Sequence, residues 1–334
     1  MILRKLGNSE YMVSPISIGC WSFGGGSYWG EQSQKDVDEV VNEALDRGVN
    51  LFDTAESYND GASEISLGKA VKGRRQEAVI VTKQMIHPEQ DDTIPRLDES
   101  LKRLNTDYID ILMVHWPIDD KRAMERVFRR CEKLVESGKV RALGVSNFGV
   151  EQMKFMSDCG FTPCVNELHY NIASRAIDKK IRQVCIEKGM GIITYVSLQQ
   201  GVLTGKYETL DDIPPKHARY RHFTVARSKG LNNHEGAGAE KELEDLLREM
   251  HIICAETGLT MTELSLGWAL RQPGITSAIV GCRNIQQLRD NVKALDVIIS
   301  DELNDRLLQV STPLMNKLGD SPDYVKPLNK TRVH

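Results

Sequence analysis

Eight short runs rich in β-branched and apolar residues, most of them followed by a longer stretch of helical period, constrain this chain more than anything else in its sequence. The runs lie at 16–19, 51–53, 79–83, 109–115, 140–146, 164–167, 192–196 and 277–280. Apolar spacing predicts helices over 34–47, 65–71, 94–104, 123–137, 151–156, 176–188 and 285–294. This alternation marks β-α-β units, in which each crossover helix returns the chain to begin a parallel strand. Eight repeats favour closure, so the predicted fold class is α/β, a (β/α)8 TIM barrel. An open doubly wound sheet is the rival. Such sheets usually carry G-x-G-x-x-G after the first strand, whereas this chain offers only Gly24-Gly25-Gly26 in a loop rich in Trp and Tyr.

At 334 residues the chain can bury roughly three quarters of its unfolded surface without staples. No stretch has linker composition, so a single domain over 1–334 is expected. It comprises an N-terminal strand or hairpin, a barrel core over about 14–300, and a C-terminal helix and tail over 301–334. Two departures from the repeat fall where a barrel's loops shape its site. The stretch 198–231 after the seventh strand carries Gly201, Gly205 and a basic run from His217 to His222, and precedes an amphipathic helix over 240–257; it reads as a cofactor or substrate flap. The polar tail reads either as a lid over the barrel mouth or as a disordered end.

Lys+Arg 43 against Asp+Glu 47 gives a net charge of −4 without long runs of one sign, which excludes the footprint of a nucleic-acid binder. Seven scattered cysteines with no C-x-x-C pair argue against a disulfide framework and a zinc site, and no metal is expected. No apolar run approaches the roughly 20 residues of a membrane span, and no signal peptide is legible, so a cytoplasmic protein with a small-molecule partner is the default expectation.

Four titratable residues stand at or just beyond the ends of consecutive strands: Asp53 and Tyr58, then Lys83, then His115. Carbonyl reduction needs a proton donor beside the carbonyl oxygen, and a phenol serves if a neighbouring cation lowers its pKa from about 10. Lys83 would be that cation for Tyr58, Asp53 its counter-ion, and His115 a hydrogen-bonding group that orients the substrate. Singly, each has a plainer explanation as an ion pair or packing residue. Together they carry a resemblance to the aldo-keto reductase superfamily, visible over nearly the whole chain in LFDTAESYNDGASEISLGKAV at 51–71, VTK at 81–83, LKRLNTDYIDILMVHWP at 101–117, VRALGVSNF at 140–148 and GVLTGKY at 201–207.

The resemblance implies that Asp53, Tyr58, Lys83 and His115 form a catalytic tetrad, with hydride passing from the nicotinamide C4 to the carbonyl carbon and a proton from Tyr58. It places Gly19, Cys20, Trp21 and Asp53 by the nicotinamide, Ser146, Asn147 and Glu167 at its carboxamide, and Tyr195 on its face. Val196, Ser197, Leu198, Gln200, Gly201 and Lys206 would follow the pyrophosphate, and Gly281, Arg283, Gln287 and Asn291 the adenosine end. Trp21, Trp29, Tyr58, His115 and Trp116 would line the substrate pocket; Trp29 and Trp116 could instead be loop and rim packing, and Ser146-Asn147 a helix N-cap.

The pattern departs from the family around the cofactor. Glu167 stands where relatives have Gln, and a carboxylate cannot donate to the carboxamide carbonyl unless protonated. Val196-Ser197-Leu198-Gln199 replaces Ser-Pro-Leu-Gly, and Gly281 a common Lys. Arg283 is the candidate for a 2′-phosphate, with Arg219 or Arg221 from the flap as a possible helper, so NADP(H) is the expected cofactor with NAD(H) possible. The resemblance extends to potassium-channel β-subunits, which makes a nicotinamide-sensing regulatory barrel the alternative to a working reductase of aldehydes, ketones or sugars.

Overall fold

The computed structural model describes residues 1–231, 234 and 236–334. A short hairpin, β1 (Arg4–Lys5) paired antiparallel with β2 (Met12–Val13), precedes eight parallel strands. These are β3 (Ile16–Gly19), β4 (Leu51–Asp53), β5 (Val79–Gln84), β6 (Ile109–Val114), β7 (Val140–Ser146), β8 (Val165–His169), β9 (Gly191–Tyr195) and β10 (Ile275–Gly281). They pair in chain order and close, β10 against β3, into the predicted barrel. Among the described residues no helix is long and apolar enough to cross a membrane.

Strand geometry explains why the barrel is apolar below and charged at one mouth. Side chains alternate between faces with period two, so residues two apart share the interior. Leu51 is followed inside by Asp53, Val81 by Lys83, Met113 by His115, Val165 by Glu167 and Ile193 by Tyr195. The lower layers form one core cluster with Leu6 and Val13 of the hairpin, which plugs the bottom. Room for Met113 comes from β7, where a Cβ on Gly144 would lie 2.8 Å from the Met113 and Val165 side chains. Register places the chemistry at a common height: Asp53 lies beside Gly19, and Ser146 beside Glu167.

Helices α1 (Gln34–Asp46), α2 (Ala62–Ala70), α3 (Thr93–Leu104), α4 (Lys121–Glu136), α5 (Val150–Asp158) and α6 (Ile181–Glu187) cover the outer face, followed by the one-turn α7 (Val225–Ser228), α8 (Glu240–Thr257), α9 (Met261–Arg271), α10 (Ile285–Val292) and α11 (Asp301–Leu318). Their entries carry caps that the sequence shows: Ser33 accepts from Asp36 N, Asp120 from Ala123 N, Asn284 from Gln287 N and Ser300 from Leu303 N. The predicted helix over 176–188 is instead a single turn at Ala176–Asp178 followed by α6. Arg175 pairs with Asp178 at 3.0 Å and also donates to Leu308 O and Ser311 Oγ, holding that turn against α11. Helix α9 was absent from the sequence expectation despite its Thr260/Glu263 capping box.

The tail is ordered and lies across the mouth. Arg221, from the stretch after β9, donates to the carbonyls of Leu318, Ser321, Asp323 and Lys326 at 2.8–3.1 Å. Asp323 in turn holds Arg332 through two bonds of 2.8 Å, and Glu151 N at the start of α5 donates to His334 O at 2.8 Å. One guanidinium thus satisfies four carbonyls at the end of α11 and in the tail beyond it, which accounts for the place the tail takes over the mouth.

Helix α2 carries the loop that presents Tyr58, and its seat against α3 leaves no space at Gly68, where a Cβ would meet Leu104 O at 2.5 Å. Gly68→Val is expected to lower stability by about 1–3 kcal/mol through overpacking. Urea denaturation checks this; a midpoint equal to that of the unmodified chain would show that the helices part freely.

Candidate active site

A cavity of about 800 Å³ opens at the C-terminal ends of the strands, the end at which barrels build their sites. Its floor is a buried charge cluster. Lys83 Nζ, fully shielded from solvent, lies 2.5 Å from Asp53 Oδ1 and 3.5 Å from Glu167 Oε2, and donates to Thr54 O at 3.1 Å and to Tyr58 OH at 3.2 Å. Burial pulls the ammonium pKa down, but the two carboxyls, Asp53 first, outweigh it and hold Lys83 above its ordinary value. Burial raises both carboxyls: Asp53 against the pull of Lys83, and Glu167 well above the carboxylate range, with the Asp53 charge adding to the effect.

Tyr58 corrects a sequence expectation. Lys83 does favour the phenolate, but burial is the larger effect and the two carboxyls, Asp53 first, add to it, so the phenol lies above its ordinary value. The hydroxyl is therefore protonated at neutral pH. His115, whose ring meets that of Tyr58 edge-on at 5.9 Å, is pushed down to about 3 by burial, then by Lys83 and Arg332, and is a neutral imidazole. Its Nδ1 has no protein partner.

The Tyr58 loop is locked by a contact that sequence reading missed. Asn59, at φ 51°, donates from Nδ2 to Trp21 O at 2.8 Å and Phe23 O at 3.0 Å, tying the loop after β4 to the loop after β3. A Cβ on Gly26 would lie 2.2 Å from Asn59 Oδ1, so that glycine, at φ 115°, is there for the close approach. The signal for it, Gly26 and Asn59 at a distance of 33 residues, has no local pattern.

Nearly all the residues singled out from the sequence line this cavity: Gly19, Trp21, Trp29, Asp53, Tyr58, His115, Trp116, Ser146, Asn147, Glu167, Tyr195, Val196, Ser197, Leu198, Gln200, Gly201, Lys206, Gly281, Arg283, Gln287 and Asn291. Lys83 sits beneath the lining, and Cys20 turns its thiol back toward Ile18 O. Ser146 and Asn147 do not cap α5, whose N-cap position is Gly149. Instead Ser146 Oγ donates to Glu167 O at 3.2 Å, and Asn147 Oδ1 accepts from Tyr195 OH at 2.8 Å. Val196, Gln199 and Gln200 have φ values of 47–55°, followed by Gly201 at 94°. Such strained backbone gathers at ligand clamps.

The aromatic wall is shared between lining and packing. Trp21 stacks on Tyr28 at 4.8 Å and meets Trp29 edge-on at 5.3 Å, while Arg332 lies 3.6 Å over Trp116. Arg219, which sequence reading placed only loosely in the flap, lies against Trp21, Tyr28 and Tyr220 with its Nε unpartnered. Arg283 already donates to Trp29 O at 3.0 Å, to Gln32 Oε1 at 2.8 Å and to Glu31 O, which pins the 24–33 loop over that end of the cavity.

Comparison with known proteins bears on the family and the fold. The model of the aldo/keto reductase family matches residues 15–311. Aldo-keto reductase YhdN of Bacillus subtilis is 30% identical, aligned over 100% of both chains. A putative voltage-gated potassium channel subunit beta of Schizosaccharomyces pombe is 31% identical over 94% of this chain and 93% of its own. An aldo-keto reductase from Klebsiella pneumoniae, solved in complex with NADPH, superposes with a TM-score of 0.71 at 25% identity, covering 100% of this chain and 98% of that one.

Removing the ammonium tests the floor. In Lys83→Met the two carboxyls lose their cation, so their folded pKa values rise further above the unfolded ones and the folded state binds more protons than the unfolded. Stability then falls as pH rises through that window. A loss of about 3–5 kcal/mol is expected at pH 8, with recovery toward pH 5. Denaturant titration at both pH values checks it, and a loss independent of pH would contradict the charge cluster.

Proposed function

The chain belongs to the aldo/keto reductase family, and on that premise we propose that it is an NADP(H)-dependent oxidoreductase that interconverts a carbonyl and an alcohol, with Tyr58 as general acid and base. The observation that carries the reading is the 3.2 Å contact between the buried Lys83 ammonium and the Tyr58 hydroxyl beneath the cavity.

The residues present fit a nicotinamide nucleotide. Tyr195 offers an aromatic face beside Ser146, Asn147 and Glu167, and the buried Glu167 carboxyl, 3.5 Å from Lys83 Nζ, reaches the same lining. The strained turn at Val196 to Gly201, with Lys206, suits the pyrophosphate, and Gln287 and Asn291 stand at the far end. Bound there, the cofactor would supply hydride from C4 to the carbonyl carbon. That the Klebsiella pneumoniae relative is held in complex with NADPH supports the cofactor class. Arg283 uses three of its five N–H donors on the 29–32 loop, which leaves two for a 2′-phosphate. We assign NADP(H) as preferred and NAD(H) as accepted on that basis.

Protein groups then divide the proton chemistry. Neutral His115 donates a hydrogen bond that orients the carbonyl oxygen, and Tyr58 gives that oxygen its phenolic proton. Lys83 stabilises the phenolate so formed, and Asp53 keeps Lys83 charged. General acid catalysis of this kind contributes about 10²- to 10⁴-fold. The aromatic wall of Trp21, Trp29 and Trp116 suits a small aldehyde, ketone or sugar. The likeness to a putative potassium channel β-subunit supports a second reading, a nicotinamide-binding regulatory barrel.

With NADPH and nitrobenzaldehyde, Tyr58→Phe is expected to lower kcat by about 10²-fold or more while leaving the NADPH dissociation constant within about twofold. NADPH binding with no turnover across a broad carbonyl panel would instead favour the regulatory reading. Because Tyr58 stays protonated at neutral pH, reduction at saturating cofactor should be flat from pH 6 to 9, whereas alcohol oxidation, which needs the phenolate, should rise with pH. Initial rates in both directions check the sign; oxidation falling with pH would contradict it. Arg283→Ala should reduce the preference for NADPH over NADH in kcat/KM, and unchanged selectivity would remove Arg283 from the phosphate site.

A further inference from the structure

We propose that Glu167 is a positioning residue that carries a proton when the site is competent, so that a carboxylic acid, with one donor and one acceptor, stands against the nicotinamide carboxamide. This rests on the cofactor reading above and concerns the one floor residue that breaks the family pattern.

Charge counting on the page leads there. Asp53 on β4 and Glu167 on β8 both face the single ammonium of Lys83 on β5, and both side chains are almost wholly shielded from water. Among the described residues around them no second unpaired cation stands: Tyr58 and Tyr195 are neutral phenols, Cys20 a neutral thiol and His115 a neutral imidazole, and Arg332, which acts on His115 and Tyr195, is paired with Asp323. Two carboxylates would leave an uncompensated buried negative charge, which interiors do not tolerate. One proton therefore stays on the pair. Asp53, 2.5 Å from Nζ, keeps the charge; Glu167, 3.5 Å away, keeps the proton. Burial raises both carboxyls, and at Glu167 the Asp53 charge acts in the same direction, whereas at Asp53 Lys83 opposes it.

The backbone sets which residues share that surface. Glu167 O accepts from Asn147 N at 2.9 Å and from Ser146 Oγ at 3.2 Å, so strands β7 and β8 present Ser146, Asn147 and Glu167 side by side beneath Tyr195. An amide ligand on that surface needs a donor for its carbonyl and an acceptor for its NH₂. A neutral carboxyl offers both, and a carboxylate only the second. Deprotonation also places a second negative charge beside Tyr58.

The test titrates NADPH by protein fluorescence from pH 6 to 10 with the unmodified chain, Glu167→Gln and Glu167→Ala, alongside infrared spectra of the ligand-free proteins at pH 7. The unmodified chain is expected to weaken about tenfold per pH unit above its transition, because only the protonated form binds. Glu167→Gln should bind tightly at all pH values, Glu167→Ala weakly at all, and the infrared band of a buried neutral carboxylic acid should be present only in the unmodified chain. The same pH dependence in the unmodified chain and Glu167→Gln, or no such band, would overturn the proposal. Failure of all three proteins to bind NADPH at any pH, with the band present, would instead overturn the cofactor reading on which the positioning role depends.

Discussion

The ammonium of Lys83, shielded from water and shared by Asp53, Glu167, Thr54 O and the Tyr58 hydroxyl, is the interaction on which the rest of the site depends. A lone buried cation is very costly, and so is a lone buried carboxylate; together, with hydrogen bonds completing the shell, they become tolerable. Burial leaves Tyr58 a phenol, against the pull of Lys83, and His115 a neutral imidazole, with Lys83 adding to the effect. The single ammonium leaves one proton on the carboxyl pair.

The barrel makes this possible because strand periodicity separates the two requirements. Lower interior layers of Leu51, Val81, Met113, Val165 and Ile193 supply the burial that holds the strands in register. One step further along the same faces come Asp53, Lys83, His115, Glu167 and Tyr195. Strands thus fix the floor, while three loop systems build the walls. Asn59 ties the Tyr58 loop to Trp21, Arg283 pins the 24–33 loop, and Arg221 laces the tail across the opening.

Much of this was legible in the sequence because its causes are local. Every barrel strand was readable from a short apolar run, and the tetrad from residues at strand ends combined with family resemblance. What was not legible depends on contacts distant in sequence. Asn59 against Gly26 and Arg221 against the carbonyls of 318–326 have no pattern within any window. The turn at Ala176–Asp178, read as helix, owes its shape to α11. The sign of the Tyr58 shift differs for a related reason: a neighbouring cation can be inferred from strand order, but the burial that outweighs it appears only in the folded site.

If this floor serves hydride reduction with Tyr58 as the proton source, NADPH deuterated at both C4 positions, mixed with the protein and an excess of aldehyde, will pass its label to the alcohol, which mass spectrometry reads. Deuterium should appear on the carbinol carbon with the unmodified chain, and Tyr58→Phe should form almost no alcohol. Alcohol without the label, or equal product from both proteins, would contradict the account.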